Sequence, residues 1–291
     1  MASVRGFTEL RVARTAAWLA DDLRAGADLP VVHDLGLDVL PGARRTAWWA
    51  PHEFIARLTV TPEAELPDLA SPGPAWLASV PSDFLGRSVW CGPAGDLAGC
   101  HLWDTGPAFA KPAEIKLSAL PAQLYPDPDA FLTAARAAGL YPSSWVIVSE
   151  PIDLVAEYRC FVAPRDGRPV VVAASAYLVD DVTWDAWEPA DAPDATAAAA
   201  FAQTVVDAVE GPDGWVLDVG RTAAGRWVVI EANAAWSSSP YHADPRGVVA
   251  AILASQTPPV PPRWRWRSDP VFDERATPLR IRTPVPHMDR A

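Results

Sequence analysis

Three side chains near the end of the chain, Asp218, Glu231 and Asn233, carry the oxygen ligands that a hard cation binds. They lie in two stretches, 215–220 and 227–233, which are rich in β-branched and aromatic residues and therefore predict short strands. The residues between the two stretches include a glycine, which favours a hairpin turn. The sequence thus predicts a hairpin that carries polar side chains among apolar ones.

The pairing of this hairpin decides whether the three side chains meet. Side chains alternate along a strand, so Glu231 and Asn233 face the same way. A register that pairs Gly220 with Trp227 places Asp218 on that face, diagonal to Glu231. Mg²⁺ binds such sites and keeps its other positions for phosphates. The alternative is that Asp and Asn stand here only because they favour strand ends and turns.

The composition indicates a substantial core and an acidic surface. The 291 residues suffice for two domains or one elaborate one, and 50% of them are hydrophobic. The formal net charge of −12 argues against nucleic acid as a main partner, because binding phosphates requires a basic surface. Cys91, Cys100 and Cys160 form no C-x-x-C pair, so neither a disulfide framework nor a zinc site is expected.

No stretch of the sequence has the character of a signal peptide or a membrane span. The first residues contain no apolar segment of signal-peptide length. The longest apolar run, 169–179, is too short to cross a bilayer and is interrupted by Ser175. We therefore expect a soluble cytoplasmic protein without a membrane partner, and its oligomeric state stays open.

The elements that must position these residues follow from periodicity and turn signals. Residues 1–88 contain a predicted helix over 12–25 and a predicted strand over 31–35, followed by prolines that exclude long regular elements. Further strands are predicted over 108–112, 115–120, 145–149, 154–163 and 169–179. Further helices are predicted over 128–140, 195–210 and 244–255.

The last segment, 257–291, is rich in proline, tryptophan and arginine. Its prolines exclude a helix or a central strand. We expect a C-terminal strap that packs Trp264 and Trp266 against the rest of the protein. The alternating R-W-R-W-R run also leaves open a contact with nucleic acid or a membrane.

In order along the chain, three motifs resemble those of the ATP-grasp superfamily. They are F-A-K-P-A-E-I-K (109–116), S-E-P-I-D-L-V-A-E-Y-R-C-F-V (149–162) and the two hairpin stretches, from D-V-G-R to W-V-V-I-E-A-N (218–233). The resemblance covers about 87–255 and is greatest to a small clade of ATP-grasp ligases. It implies an α+β fold in which two α+β lobes grip ATP.

This resemblance also implies a domain organisation. The ATP-grasp domain would cover 89–256, with lobes at 89–148 and 149–256. Residues 1–88 would form an N-terminal α/β domain like those that precede ATP-grasp domains and shape substrate choice. Residues 257–291 would remain as the C-terminal strap.

The resemblance assigns a nucleotide site to the first two motifs. Lys111 and Lys116 match the lysines that meet the ATP phosphates, where an ammonium group offsets phosphate charge. The hinge between the lobes would hold adenine and ribose, and Glu150 and Asp153 are the candidates for the ribose. The hinge residues are Ser149, Glu150, Pro151, Ile152 and Asp153.

Alternation along the strand at 154–163 separates a polar face from an apolar face. Glu157, Arg159 and Phe161 share one face, which suits a strand at the floor of a polar cleft. The resemblance implies that Glu157 lies in the nucleotide site and that Arg159 contacts the γ-phosphate or acyl-phosphate oxygens. Arg87 and Arg221 are further candidates for phosphate or substrate contact. An ion pair of Glu157 with Arg159 on an edge strand is the alternative.

The resemblance makes Asp218, Glu231 and Asn233 ligands of two Mg²⁺ ions that bridge the β- and γ-phosphates of ATP. It implies an ATP- and Mg²⁺-dependent carboxylate–amine ligase, which forms an amide through an acyl-phosphate from small-molecule or peptide substrates. Two alternatives stay open. One is a kinase-like phosphotransferase without an amide product, and the other is a non-catalytic module that only binds ATP.

Overall fold

A computed structural model describes residues 6–13, 17–34, 38–39, 46–62, 64 and 68–281. The strands are β1 (Glu9–Ala13), β2 (Val31–Asp34), β3 (Asp38–Val39), β4 (Thr46–Trp49), β5 (Val89–Pro93), β6 (Ala108–Pro112), β7 (Gln123–Tyr125), β8 (Trp145–Ser149), β9 (Leu154–Arg165), β10 (Arg168–Val179), β11 (Val182–Thr183), β12 (Trp215–Thr222), β13 (Trp227–Asn233) and β14 (Arg280–Ile281). The helices are α1 (Ala17–Gly26), α2 (His52–Thr59), α3 (Ser82–Leu85), α4 (Pro128–Ala137), α5 (Thr196–Ala208), α6 (Pro245–Ala254) and α7 (Pro270–Asp273).

The first sheet is parallel, in the order β2-β1-β4, and α1 connects its first two strands. Leu10 and Val12 in β1 are fully buried, as expected for a parallel strand that is covered on both faces. The predicted helix over 12–25 is therefore wrong at its start, because Val12 belongs to β1 and the helix begins at Ala17. Leu35, the last residue of the predicted strand over 31–35, lies outside the described residues.

The second sheet is antiparallel, in the order β5-β8-β6-β7, and packs against α4 through Phe131. The predicted strands over 108–112 and 145–149 match β6 and β8. The predicted return strand over 115–120 is wrong. The Leu120 N–H donates to the Leu117 carbonyl in a turn, and β7 pairs with β6 instead.

The third sheet is antiparallel, in the order β11-β10-β9-β12-β13, and has an apolar layer on each face. Phe161 of β9 packs against residues of α6 and α1, whereas Cys160 and Val162 pack against α5. This arrangement confirms the alternation predicted for β9. The helices predicted over 195–210 and 244–255 match α5 and α6 to within a few residues.

The segment after α6 runs back across the protein towards the N-terminal region. The Trp266 N–H donates to the Leu69 carbonyl at 2.8 Å, and Ala70 forms a β-bridge with Arg265. Trp266 is half-buried and stacks on His52, with ring centroids 5.7 Å apart. The end of the predicted strap, 282–291, lies outside the described residues. Within the ranges described above, no helix combines the length and apolarity needed to span a bilayer.

Candidate active site

The candidate site lies where the chain passes from the second sheet to the third. Ser149, at the end of β8, is buried, and the connection to β9 starts at Glu150. The Glu150 N–H donates to the Ser88 carbonyl at 3.1 Å, and the Ser88 N–H donates to the Glu150 carboxylate at 2.7 Å. Because these bonds favour the charged form, they lower the pKa of Glu150. The predicted hinge is thus tied to the segment that enters β5.

The other residues predicted to bind the nucleotide occupy two environments. Pro151 and Asp153 are exposed and Ile152 is half-buried, so these hinge residues stay near the surface. Glu157 is half-buried and accepts a hydrogen bond of 2.6 Å from the Tyr177 hydroxyl. Burial raises the pKa of Glu157, because a carboxylate loses hydration when it leaves water.

The hairpin of β12 and β13 carries a β-bulge at its functional end. Asp218 pairs directly with Glu231, and Val219 pairs with Val229, so Ile230 is left unpaired. The predicted register, with Gly220 opposite Trp227, is therefore wrong. A bulge shifts the alternation of a strand by one residue. Val229 packs in the core beside α5, but after the bulge Glu231 turns to the opposite face and meets Asp218.

Arg87 holds the bulge from the other side of the site. Its guanidinium donates to the carbonyl of Val229 at 2.8 Å, to that of Ile230 at 3.1 Å and to that of Leu85 at 3.0 Å. Burial lowers its pKa to about 10, which leaves it charged at neutral pH. Arg87 therefore binds backbone and positions Glu231, instead of reaching for phosphate as the sequence suggested.

Arg87→Met should destabilise the fold by about 1–3 kcal/mol, because two buried bulge carbonyls lose their donor. Turnover with ATP should fall by about tenfold, because Glu231 loses the backbone geometry that aims it. Urea unfolding and steady-state kinetics measure the two effects, and Arg226→Met, at an exposed arginine of the hairpin turn, is the control. Unchanged turnover in Arg87→Met would show that the bulge does not depend on this side chain.

Asp218 and Arg159 form a buried ion pair across the paired strands β12 and β9. The Arg159 Nε donates to Asp218 Oδ1 at 2.9 Å, and its terminal nitrogen donates to Oδ2 at 2.7 Å. The side chains are only 6% and 1% exposed. Burial disfavours the charge of Arg159, but the adjacent carboxylate outweighs it and raises the pKa of Arg159. The Asn233 amide donates to Asp218 at 3.1 Å and to Glu231 at 3.0 Å, and so joins both acids.

Two aromatic rings and a backbone carbonyl fix the remaining side of Arg159. The guanidinium carbon lies 5.0 Å from the ring centroid of Tyr241 and 5.8 Å from that of Tyr177. A third guanidinium nitrogen donates to the Ser239 carbonyl at 3.3 Å. Tyr241 has a φ of 53°, a left-handed conformation that is rare for a bulky residue. The loop after β13 thus holds Arg159 in place.

The two predicted phosphate-binding lysines reach the same place from the second sheet. Lys111, on β6, forms an ion pair with Glu231. Burial lowers the pKa of Lys111 to about 8, and the positive charge of Lys116 acts in the same direction. Lys116 is exposed as a residue, but its ammonium is partly desolvated, which lowers its pKa, and the charge of Arg159 adds to that effect. Three cations and two acids therefore meet between the sheets.

Arg221 is the predicted site residue that the structure does not bring to this place. It pairs with Ala156, which lies in the core beside α5, whereas Asp218 pairs with Arg159 on the opposite face. Arg221 is exposed and lies near Tyr158. The distance from Asp218 along β12 is an odd number of residues, so alternation sends the two side chains to different faces.

A cavity of about 350 Å³ opens beside the ion pairs and is called the reaction cavity below. Lys116, Arg159 and Asn233 line it together with the loop 237–239. The N-terminal region adds residues to its wall, among them His52. The cavity thus joins the predicted cations to a region for which the sequence offered no site residue.

Three residues of this wall, His52, Glu53 and Glu114, are absent from the site predicted from the sequence. Burial lowers the pKa of His52 to about 4, and its Nε2 has no hydrogen-bond partner among the described residues, so the ring is neutral. Glu114 had a signal in the sequence, because it stands between Lys111 and Lys116. His52 and Glu53 had none, because they reach the site only through packing of the N-terminal region.

Glu114 should make stability depend on pH. Burial is the main cause that raises its pKa from 4.5 to about 7, with Asp269 adding to it, while Ser71 and the Gly73 N–H oppose it. The folded protein therefore holds this proton more tightly than the unfolded chain between pH 4.5 and 7, and stability falls as pH rises through that window. Glu114→Gln should remove about 1–3 kcal/mol of that fall in urea unfolding at about pH 5 and about pH 7.5. A pH profile identical to that of the original protein would contradict the assignment.

The polar cluster suits the cation that the sequence predicts. Two carboxylates and one amide oxygen are ligands that Mg²⁺ prefers. In the part of the chain that the structure describes, no three His, Cys, Asp or Glu side chains are grouped so that they could hold a metal ion. The third protein ligand beside Asp218 and Glu231 must therefore be the carbonyl oxygen of Asn233, whose N–H groups already face the two acids.

Solved structures of several enzymes share this fold. D-cycloserine synthetase aligns with a TM-score of 0.50 and 17% identity over 85% of this chain and 99% of that chain. An ATP-grasp RimK domain protein from Sphaerobacter thermophilus aligns at 0.44 and 16% identity, over 85% and 98% of the two chains. N5-carboxyaminoimidazole synthetase from Staphylococcus aureus, complexed with ADP, aligns at 0.46 and 9% identity, over 87% and 79%. At such identities the likeness concerns the fold alone, and no curated protein sequence matches the chain.

A family model of the ATP-grasp domain, which describes the second family of one ATP-grasp clade, matches residues 84–251. This range is more than half of the chain and extends from α3 into α6, so it includes the second and third sheets and the cluster between them. The family resemblance and the α+β ATP-grasp fold predicted from the sequence are both confirmed. The chain belongs to this clade of the ATP-grasp domain family.

Proposed function

We propose that the protein is an ATP- and Mg²⁺-dependent carboxylate–amine ligase that forms an amide through an acyl-phosphate. One observation carries the proposal. Three cations, Lys111, Lys116 and Arg159, meet two acids that are paired across a β-bulge, and a substrate-sized cavity opens beside them. This cluster lies between two sheets of a member of an ATP-binding family.

The cations suit the stabilisation of charge on phosphoryl oxygens. Lys111 and Lys116 would act as point charges on the ATP phosphates, and Arg159 as a planar donor to the transferred group. Fixed donors in a site with little water stabilise a transition state strongly, because they need no reorganisation during the reaction. Phosphoryl transfer requires mainly positioning and charge of this kind.

The ligand oxygens of Mg²⁺ would come from Asp218, Glu231 and Asn233. When bound, the cation would supply positive charge to the β- and γ-phosphates. The role of the chain is to present these oxygens, and Lys111 would move its charge from Glu231 to phosphate as ATP binds. The ion pair of Lys111 with Glu231 thus balances the acid until the nucleotide arrives.

In the reaction cavity, the substrate carboxylate would lie against Lys116 and Arg159. A carboxylate oxygen would attack the γ-phosphorus, and the bond from phosphorus to the ADP oxygen would break. The amine would then attack the acyl carbon, its nitrogen would lose a proton, and phosphate would leave as the amide forms. The protein would exclude water from the acyl-phosphate and orient the two substrates.

A covalent route through cysteine has no support in the described residues. Cys91, Cys100 and Cys160 are free, and burial raises the pKa of each thiol. A thiol with a raised pKa is a poor nucleophile, since only the thiolate attacks. This supports direct transfer from ATP to the substrate carboxylate.

The test is the release of ADP from Mg·ATP with a panel of carboxylic acids, amino acids and short peptides, followed by mass spectrometry of the products. We expect release of ADP and phosphate that requires both an acid and an amine, with a product joined by loss of water. A phosphorylated acceptor without an amide would establish a phosphotransferase instead. Tight binding of Mg·ATP without turnover across the panel would establish a binding module.

A further inference from the structure

A second cavity, the strap pocket, lies between the segment 262–270 and the loop 71–75 and has a volume of about 500 Å³. This size falls in the range of pockets that hold drug-sized ligands. Its wall and the wall of the reaction cavity share one residue, Glu114. A molecule in the strap pocket would therefore lie beside the residue that borders the acylation site.

The strap side of this pocket is cationic. Arg263, Arg265 and Arg267 all line the pocket and are exposed. Arg263 has an ion pair of 2.6 Å with Glu210, and Arg265 has a longer one of 3.7 Å with Asp68. Arg267 forms no ion pair with any residue that the structure describes. The R-W-R-W-R run thus presents at least one available guanidinium, a group that binds carboxylates through paired N–H donors.

The inner side of the strap pocket is anionic. Glu114 accepts a hydrogen bond from the Ser71 hydroxyl and one from the Gly73 N–H. A carboxylate has about four acceptor positions, so these two bonds leave acceptors that face the cavities. An ammonium group has three donors and no acceptor, which makes it the natural partner of such a carboxylate. Among the described residues, no cationic side chain offsets the burial that raises the pKa of Glu114.

We propose that the strap pocket binds the amine co-substrate as a short peptide with a free amino group and a free carboxylate. Its ammonium group lies beside Glu114, and its carboxylate lies beside Arg267, with Arg265 as the second donor. This assignment rests on the ligase reaction proposed above and identifies where the amine enters it. The acid that is activated occupies the reaction cavity, so the two substrates approach from opposite sides of Glu114.

The opposite charges of the two walls support this orientation. A peptide bound the other way would place its carboxylate against Glu114 and its ammonium group against arginines, and both contacts repel. Lys116, two residues after Glu114, marks the side on which the acyl-phosphate would form. The amine therefore arrives at the wall nearest to the acyl carbon, while the carboxylate stays at the strap.

Trialanine, triglutamate and trilysine, each with free ends, are the probes, titrated by calorimetry into the full chain with Mg²⁺ and a non-hydrolysable ATP analogue. For the tightest of the three, N-acetylation should weaken binding by about tenfold, and C-terminal amidation should do the same. Arg267→Ala should weaken the free peptide by about tenfold and remove the sensitivity to amidation. Glu114→Gln, which keeps an acceptor for Ser71 and Gly73, should remove the sensitivity to acetylation.

Arg168→Ala, at an exposed turn far along the chain from the strap, is the matched control and should bind like the original protein. The proposal is overturned if none of the three peptides binds while the ATP analogue does. It is also overturned if Arg267→Ala and Glu114→Gln bind the free and blocked peptides as the original protein does. Failure of the ATP analogue itself to bind would instead refute the ligase function, so the two failures are distinct.

Discussion

Glu231→Gln should lower turnover with Mg·ATP by about a thousandfold, because it removes charge where the nucleotide phosphates and their cation would bind. Glu231 is the acid that the bulge turns towards Asp218, and it is the partner of Lys111. Glutamine has the same shape and keeps an acceptor for the Asn233 amide. The substitution therefore removes a charge from the site and leaves the packing in place.

The fold should survive this change. Glu231 is only half-buried, so glutamine should shift the free energy of unfolding by about 1 kcal/mol or less. Release of ADP measures the activity, and urea unfolding measures the stability. Glu188→Gln, at an exposed glutamate, is the control and should match the original protein in both. Mg²⁺-dependent release of ADP at the original rate in Glu231→Gln would refute the assignment of this acid.

Arg159→Met should destabilise the protein by about 3–5 kcal/mol and also abolish turnover, because it leaves the carboxylate of Asp218 buried without its partner. Asp218 is 1% exposed, so water cannot replace the two hydrogen bonds that the guanidinium donates. The rings of Tyr177 and Tyr241, which face Arg159, offer the acid only weak alternatives. The loss of stability is therefore that of an uncompensated charge.

A double variant separates the two effects. Arg159→Met combined with Asp218→Leu removes both charges, and it should recover most of the lost stability, since an apolar pair of similar volume often replaces a buried ion pair without cost. Turnover should stay absent, because the proposed phosphoryl donor and a proposed metal ligand are both gone. Urea unfolding and ADP release provide the two readouts. A single variant that loses less than about 1 kcal/mol would show that Asp218 finds another partner.

Local sequence patterns predicted the third sheet well. The alternation of charged and apolar residues over β9 gave the correct face to Glu157, Arg159 and Phe161, because the period of two follows from strand geometry alone. The bounds of β6 and β8 also agreed. Their β-branched runs lie in a buried sheet, where local preference and tertiary packing favour the same conformation.

Long-range contacts decided the features that the sequence did not predict. The register of β12 with β13 shifts at Ile230, where Arg87, far away in the chain, bonds to the bulge carbonyls. The turn after Ile115 replaced a predicted strand, because β7 took the edge of the second sheet. The helix expected from Val12 began later, because parallel pairing with β2 and β4 claimed that residue.

The sequence by itself determined which groups could meet a phosphate and on which strands they stand, since residue type and alternation are local properties. Only the tertiary structure decided that Glu231 faces Asp218, that Arg221 does not join them, and that Glu114 borders two cavities. Each of these depends on a one-residue shift or on contacts between segments far apart in the chain. Such contacts form only when sheets and loops pack together, and periodicity does not encode them.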